Sequence, residues 1–502
     1  MAVINAEKSQ FNEDQAACCQ ISVRRREPGL EEDEEWLILC STQQFLTGHY
    51  WALFDGHGGP DAAIIASNYL HYCIKQKLEE IVGGITEAQP PMHLSGRCVC
   101  DSDPQFVQEK HIHAADLVVG ALENAFQECD EVIGQEMEAT NQTGGCTALA
   151  ALYFQGKLYV ANAGDSRAIL VLKDNIVPMS SEFTPESERQ RIQHLAFLFP
   201  KLLDGEFTRF EFPRRLKGDD VGQKVLYRDY FMEGWGYKTV EKADLKYPLV
   251  HGHGKQARLL GTLAVSRGLG DHQLKVIDTN IEVKPFLSCI PKVNVFDFAL
   301  HDIKEDDVLI MATDGLWDVL CNDEVAHVVR SFLAENRTDP QRFSELAKCL
   351  VYRARGKKRG HQWMLDDSHE ASYDDISQQA CVAERKHPST LLEDGKHMAE
   401  LWLEMPRVAA RCEPAPCGQC SCITTGKCCN LNRTSSTEML SAHAQLLAQH
   451  LSMDEDREGK KKEMKADIPS CGGETLANLH QCAEAKCWGK SHCSHKFPVQ
   501  TQ

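Results

Sequence analysis

Five short segments of the sequence each place an acidic residue at or beside the end of an apolar run. Taken singly, an aspartate followed by glycine after a strand is first of all typical of a turn, because both residues adopt turn conformations readily. Taken together, several such strands would bring their carboxylates to one edge of a sheet. The segments are Asn12-Glu13-Asp14, Phe54-Asp55-Gly56-His57-Gly58-Gly59, Ala163-Gly164-Asp165-Ser166-Arg167, Ala312-Thr313-Asp314-Gly315-Leu316-Trp317-Asp318 and Tyr373-Asp374-Asp375-Ile376-Ser377.

Carboxylates that meet at one sheet edge need a cation between them. Like charges raise one another's pKa and cost stability, and a divalent cation offsets this repulsion. A ligand set of carboxylate and carbonyl oxygens favours Mg²⁺ or Mn²⁺ over Zn²⁺, and Gly56 has no side chain that would hinder access to its carbonyl. Two such ions ~3.5–4 Å apart would hold a water of lowered pKa and direct it at phosphorus.

The elements that must position these acids follow from periodicity. Short apolar runs predict strands, and apolar residues that recur every three or four positions predict helices with one buried face. Strand groups interrupted by helix pairs predict an α+β fold, in which two antiparallel sheets pack face to face as a central sandwich flanked by helix pairs on both faces. The predicted strands include 50–54, 146–154, 157–172, 281–287 and 308–313, and the predicted helices are 60–82, 114–138, 322–334 and 340–354.

Composition excludes some classes of function. The chain has 502 residues with 54 Lys and Arg against 73 Asp and Glu, a net charge of −19. Such an acidic chain is poorly suited to bulk nucleic-acid binding, which needs clustered cations at phosphates. No apolar run approaches the ~18 residues that a membrane span requires, and the N-terminal residues lack a basic-then-apolar signal. We therefore expect no nucleic acid and no membrane span, and location in the cytoplasm or nucleus.

Seven motifs follow one another along residues 1–377. They are Asn12-Glu13-Asp14-Gln15, Asp55-Gly56-His57-Gly58-Gly59, Gly144-Gly145-Cys146-Thr147-Ala148, Asn162-Ala163-Gly164-Asp165-Ser166-Arg167, Leu263-Ala264-Val265-Ser266-Arg267-Gly268-Leu269-Gly270-Asp271, Ala312-Thr313-Asp314-Gly315-Leu316-Trp317-Asp318 and Asp374-Asp375-Ile376-Ser377. In this order they closely resemble the metal-dependent protein serine/threonine phosphatases of type 2C, and most of all the H/J/M subgroup. Seven ordered motifs are far more specific than any single Asp-Gly pair.

The resemblance implies a metal-site assignment for eight residues, with two Mg²⁺ or Mn²⁺ ions and a weaker third. In this assignment Asp55 bridges both ions, Glu13 and the Gly56 carbonyl complete one site, Asp314 and Asp374 complete the other, Asp14 holds a metal-bound water, and Asp165 and Asp318 belong to the third ion.

The resemblance also implies three candidates for the chemistry around the phosphate. His57 matches the proposed general acid, which protonates the leaving serine or threonine oxygen. Many relatives carry a phosphate-gripping arginine at the position of Ser9; Lys8 is the best substitute here, although it lacks a bidentate fork. Arg267 lies in a signature whose part is more structural than chemical. Residues 178–260 match the flap beside the active site and are unusually long.

The sequence departs from the family pattern after Ser377. The family continues with a β-branched strand that closes the sandwich, whereas this chain reads Gln378-Gln379-Ala380-Cys381. We therefore predict that the closing strand is missing, that neighbouring strand edges are exposed and that the sheet holding Asp374 is weakened. The simplest explanation is an alternative transcript end.

The expected domains are a catalytic domain over 1–377 and a Cys-rich, disordered tail over 378–502. Eleven of the 22 cysteines lie in this tail. Their spacing fits no standard zinc-ligand pairing cleanly, so reduced thiols are favoured over a zinc site.

The predicted function is hydrolysis of phosphoserine and phosphothreonine on protein substrates by a hydroxide that bridges two metal ions, without a covalent phosphoenzyme. The alternative is a catalytically impaired isoform that binds phosphoproteins or partners without turnover, which the missing strand would favour. A third hypothesis, hydrolysis of small phosphate esters, has no sequence feature of its own.

Overall fold

Two five-stranded antiparallel sheets form the centre of the computed structural model, which describes residues 2–4, 12–24, 46–86, 92–94, 108–110, 112–360, 362–366 and 369–382. The first eleven strands are β1 (Ala2–Ile4), β2 (Gln15–Val23), β3 (Leu46–Phe54), β4 (Gly56–His57), β5 (Met92–Leu94), β6 (Gln108–Lys110), β7 (Gly145–Cys146), β8 (Ala148–Phe154), β9 (Lys157–Ala163), β10 (Arg167–Val171) and β11 (Ile176–Pro178). The others are β12 (Phe207–Thr208), β13 (Lys224–Tyr227), β14 (Gly236–Thr239), β15 (Tyr247–Pro248), β16 (Val250–His251), β17 (Arg258–Leu259), β18 (Leu269–Gly270), β19 (Lys292–Asp297), β20 (Val308–Ala312), β21 (Lys357–Arg359), β22 (Gln362–Met364) and β23 (Ile376–Val382).

Within the described residues, six α-helices accompany the strands. They are α1 (Asp61–Thr86), α2 (Ala114–Thr140), α3 (Arg189–Leu198), α4 (Asp314–Trp317), α5 (Asn322–Glu335) and α6 (Arg342–Arg355). The four long predicted helices are thus confirmed to within a few residues, because each has an apolar stripe that a sheet can bury. The segment 281–287 was predicted as a strand and forms none.

The sandwich is built from one sheet of order β19-β9-β8-β3-β2 and another of order β1-β23-β20-β10-β11. Alternate residues of both sheets point inward, and Leu53, Leu149, Leu170, Leu309 and Met311 belong to the core between them. Helices α1 and α2 share a core with the first sheet, and α5 and α6 share one with the second. The predicted α+β sandwich with a helix pair on each outer face is confirmed.

The prediction that the closing strand is missing is wrong. β23 pairs with β20 in antiparallel register from Ala312↔Gln378 to Val308↔Val382. Its other side pairs with β1, so β23 lies inside the sheet and not at its edge. The compact unit that contains both sheets extends from Met1 to Pro388. The expectation of disorder in the tail is therefore wrong for residues 378–382, and Cys381 among them is a buried free thiol. The rest of the predicted tail lies outside the described part of the chain.

β23 was not predicted as a strand because its sequence is polar. Gln378 and Gln379 are both buried, at 0% and 3% exposure, although such residues rarely occupy a sheet interior. Strand pairing uses backbone groups, which every residue except proline supplies. A polar segment can therefore form hydrogen bonds with the strands on either side of it.

Gln378 offers a test of what this burial costs. Neither its amide nitrogen nor its amide oxygen has a hydrogen-bond partner among the described residues, and a buried unpaired polar group costs about 1–3 kcal/mol. Gln378→Met keeps the side-chain length and removes both groups. We expect it to raise the free energy of unfolding by about that amount, measured by urea denaturation. Gln256→Met, at an exposed glutamine, is the matched control and should change little. Destabilisation by Gln378→Met would show that the amide is satisfied in solution.

The predicted flap, 178–260, contains α3 and several short two-stranded sheets. Leu195, Leu203 and Leu249 from this segment share a small core with Val283 and Phe286. The flap is therefore packed on its own apolar cluster and continues directly into the residues that precede β19. Across the described ranges, no helix is both long and apolar enough to cross a lipid bilayer.

Candidate metal centre and active site

Three aspartates from both sheets meet at one end of the sandwich. Asp55 follows β3 and Asp165 follows β9, both in the first sheet, whereas Asp314 follows β20 of the second and begins α4. One carboxylate oxygen of each lies within 4.8 Å of the others, and the three side chains are half-buried. The expectation that acids at strand ends share one edge therefore holds for these three.

Asp14 lies beside this cluster in a more enclosed position. It is 5% exposed, and its Oδ2 accepts a hydrogen bond of 3.2 Å from the Thr313 hydroxyl. Its Oδ1 has no partner among the described residues. The Ser377 backbone N–H donates to the Thr313 hydroxyl at 3.0 Å, so the start of β23 helps to hold the Thr313 side chain against Asp14.

Glu13 and Gly56 approach each other through the backbone. A Cβ atom on Gly56 would lie 2.5 Å from the Glu13 carbonyl oxygen, so only glycine permits this contact. The Glu13 backbone N–H donates to Asp375 Oδ2 at 3.0 Å. Asp374 occupies the turn before β23, where its Oδ1 accepts from the Asp375 N–H at 2.9 Å. These contacts bring the first and last motifs of the sequence to the same site.

Burial, and after it the repulsion between neighbouring acids, raises the pKa values of three aspartates at the site. Burial, followed by the charges of Asp314 and Asp14, holds the pKa of Asp55 well above its ordinary range. Burial and then the charge of Asp314 raise the pKa of Asp165 to about 8. Burial, with a further contribution from Asp375, raises the pKa of Asp14 to about 7. Without cations these carboxyls hold their protons to a higher pH than ordinary aspartates do, and hard divalent ions can replace those protons.

Asp318 stands apart from the cluster of three. It is largely exposed, and its Oδ1 lies 2.7 Å from the ammonium nitrogen of Lys255 in the flap. Its charge nevertheless contributes to the raised pKa of Asp165, so the two acids assigned to a third ion are electrostatic neighbours. A cation at Asp318 would meet a lysine already paired there.

His57 contacts Asp271, which was not among the predicted site residues. Its Nε2 lies 2.7 Å from Asp271 Oδ2. Thr313 and Asp375 were missed in the same way, although each stands next to a predicted ligand. The available signal was that Asp271 ends one of the seven motifs.

Arg267 has a different environment from the other catalytic candidates. Its guanidinium donates to both Glu188 carboxylate oxygens, at 3.0 and 2.7 Å, and to the Ile290 carbonyl oxygen at 2.7 Å. It also lies over the Phe183 ring. These contacts tie the start of α3 to the segment before β19 and support a structural role. Lys8 lies outside the described residues, so its assignment to the phosphate stays a prediction.

The comparison with protein families agrees with the seven motifs. Residues 94–210 and 248–358 match the family model described as Protein phosphatase 2C. The interval between the two matched segments falls inside the predicted flap, 178–260, which supports its interpretation as an insertion of unusual length.

Individual relatives extend the match. Protein phosphatase 1M of Mus musculus is 67% identical over 376 residues, which cover 75% of this chain and 80% of that protein. Protein phosphatase 1M of Homo sapiens is 66% identical over 375 residues, with the same coverage of 75% and 80%. Protein phosphatase 1H of Xenopus tropicalis is 47% identical over 420 residues and covers 75% and 82%. The predicted resemblance to the H/J/M subgroup is confirmed, and of these three relatives the two named 1M have the higher identity.

Proposed function

Because this chain belongs to the protein phosphatase 2C family, whose protein serine/threonine phosphatases depend on Mg²⁺ or Mn²⁺, we propose that it hydrolyses phosphoserine and phosphothreonine with two such ions and without a phosphoenzyme. The observation that carries this proposal is the meeting of Asp55, Asp165 and Asp314 within 4.8 Å. The charges of Asp14 and Asp374 add to the raised pKa of Asp55, and Glu13 lies against Gly56, the residue that follows Asp55.

The donor set fits hard divalent ions. It consists of carboxylates and the Gly56 carbonyl, which are the ligands that Mg²⁺ and Mn²⁺ prefer. The Asp14 oxygen without a partner among the described residues is a further acceptor for an ion or its water. Asp55, Glu13, the Gly56 carbonyl, Asp314 and Asp374 would hold the two ions. Bound ions would supply charge neutralisation and a water of lowered pKa.

The chain's own residues account for the other requirements of the reaction. Asp14 would orient the attacking water through its free oxygen. His57 would give a proton to the leaving oxygen, which otherwise departs as a poorly stabilised alkoxide. Lys8 would hold the phosphate as a point charge. Phosphomonoester hydrolysis is among the slowest uncatalysed reactions, so all of these contributions are needed.

Cys146, which pairs with Gly56 between β7 and β4, does not suit covalent catalysis. Burial, followed by the charges of Asp271 and Asp130, holds the pKa of the Cys146 thiol well above its ordinary range. A thiol nucleophile must instead be ionised near neutral pH. This supports direct attack by water over a cysteinyl-phosphate intermediate.

The alternative of an impaired isoform loses its main support. It rested on the absent closing strand, and β23 is present and paired on both sides. We therefore propose an active enzyme.

The test uses the full chain with a phosphothreonine peptide. We expect phosphate release in Mn²⁺ that stops in excess EDTA and returns when Mn²⁺ is added back. Electron paramagnetic resonance should show a coupled Mn²⁺ pair, and acid quenching during turnover of a ³²P-labelled substrate should leave no label on the protein. Turnover that persists in EDTA, or a labelled protein, would contradict the proposal. A single uncoupled Mn²⁺ would overturn the two-ion arrangement.

A further inference from the structure

We infer that Asp271 is a positioning residue, which fixes the His57 imidazole so that its free nitrogen faces the leaving serine or threonine oxygen. The inference rests on the proposed role of His57 as general acid. His57 Nε2 lies 2.7 Å from Asp271 Oδ2, and the two side chains are 30% and 2% exposed. A carboxylate buried this deeply requires a hydrogen-bonded partner, and the imidazole is that partner.

A small three-stranded sheet brings the pair together. β7 lies between β4 and β18, and Gly145 stands opposite both His57 and Gly270. Because Gly145 has no side chain, the Asp271 carboxylate can reach across β7 to the imidazole. A Cβ atom at this position would lie 2.2 Å from Asp271 Oδ2. Gly145 of the third motif therefore leaves the space that this contact needs.

Asp271 is held in place by its own backbone and by its neighbours. It adopts a left-handed conformation with φ of 55°, which aspartate tolerates better than most residues, and its N–H donates to the Gly144 carbonyl at 2.9 Å. The adjacent Gly270 N–H donates to Asp130 Oδ1 at 2.7 Å. Asp130 is in turn paired with Lys284 and His272. This second buried acid therefore has side-chain partners of its own, and Asp271 is paired with His57.

The contact has a direct consequence for proton transfer. His57 Nε2 is hydrogen-bonded to Asp271. Nδ1 of the same ring has no hydrogen-bond partner among the described residues and is available to the substrate. In the reaction a water oxygen bonds to phosphorus and keeps one hydrogen, while the bond between phosphorus and the serine oxygen breaks. That oxygen keeps the electron pair and takes the His57 proton, and the second water hydrogen restores the imidazole. A ring that rotates freely would present its proton to this oxygen only part of the time.

The test compares two leaving groups. A phosphothreonine peptide needs a proton on its alkoxide, whereas p-nitrophenyl phosphate releases a stable phenolate without one. General acids contribute typically 10²–10⁴-fold, so we expect Asp271→Asn to lower kcat on the peptide about 10–100-fold. It should change KM and the rate on p-nitrophenyl phosphate by less than about threefold. His57→Gln should show the same selectivity more strongly, and adding Asp271→Asn to His57→Gln should cost little more.

Asp130→Asn is the matched control, since Asp130 is a buried aspartate that anchors the same loop. It should affect both substrates alike, as a structural lesion does. An Asp271→Asn variant that affects both substrates equally, or neither, would overturn the inference while leaving the proposed function intact. If His57→Gln lacks leaving-group selectivity, the general-acid role itself fails.

A second measurement does not depend on activity. A strong imidazole–carboxylate hydrogen bond gives a downfield N–H proton resonance, which His57→Gln would assign by its loss. We expect this resonance in the folded wild-type protein, its retention in Asp130→Asn and its disappearance in Asp271→Asn. Its absence from the wild-type protein would contradict the inference even if Asp271→Asn failed to fold.

Discussion

Asp55→Asn is expected to abolish Mn²⁺-dependent phosphate release and to stabilise the metal-free protein. The substitution keeps the shape of the side chain but removes a carboxyl whose pKa is raised by burial and then by the charges of Asp314 and Asp14. Protonating a carboxyl costs about 1.4 kcal/mol for each unit between its ordinary pKa and the working pH. Because the pKa of Asp55 lies well above its ordinary range, we expect a gain of a few kcal/mol in the free energy of unfolding in EDTA, measured by urea denaturation.

The matched control is Asp174→Asn, the same chemical change at an exposed turn. It should leave both phosphate release and stability within experimental error of the wild-type protein. A folded Asp55→Asn protein that retains turnover at saturating Mn²⁺ would contradict the metal assignment. Loss of activity accompanied by lower metal-free stability would instead show that the Asp55 carboxyl is a structural group.

The free energy of unfolding of the metal-free protein should also depend on pH, and it should fall as the pH rises. The pKa of Asp14 is raised to about 7 and that of Asp165 to about 8, so the folded state retains these protons to higher pH than the unfolded chain. Their contribution to stability is complete below the ordinary aspartate pKa and is lost as the pH rises through about 7 to 8. In EDTA the free energy of unfolding should therefore fall from pH 5 to pH 8. Saturating Mn²⁺ should offset this fall, because the ions bind the deprotonated carboxylates.

Ending the chain after Ser377 is expected to destroy both stability and activity. This truncation removes the five residues that pair with β20 in register from Ala312↔Gln378 to Val308↔Val382. Each lost hydrogen bond costs about 0.5–1.5 kcal/mol, and the burial of Cys381 is lost as well. The total is several kcal/mol, a large share of the 5–15 kcal/mol that stabilises a typical domain. The truncated chain should therefore have a much lower Tm, measured by calorimetry.

A chain that ends after Pro388 is the control, because it retains β23 and the whole compact unit. We expect it to keep the Tm and the Mn²⁺-dependent activity of the full chain. A chain that ends after Ser377 with unchanged Tm and activity would show that β23 contributes nothing. In that case the hydrogen bond from Ser377 to Thr313 would suffice to hold the site.

Much of the site could be predicted from the residues alone. The apolar runs that end at Asp55, Asp165 and Asp314 were recognisable as strands, and acids at strand ends converge whenever those ends share an edge. The four long helices were equally clear from their apolar stripes. These features depend on the periodicity of apolar residues and on where each apolar run ends, and both are properties of neighbouring residues in the sequence.

The contacts between distant segments depended on the folded chain. Gln378 and Gln379 were predicted to lie outside any strand, yet both pair with β20, and Gln378 also pairs with β1. This is possible because the hydrogen bonds of a sheet come from the backbone whatever the side chain. The bond between His57 and Asp271 arises because β7 places a glycine between them. The ion pairs Lys255–Asp318 and Arg267–Glu188 likewise join segments that lie far apart in the sequence. Composition and spacing therefore identify which residues can act, whereas burial and partners are set by neighbours that lie far away in the sequence.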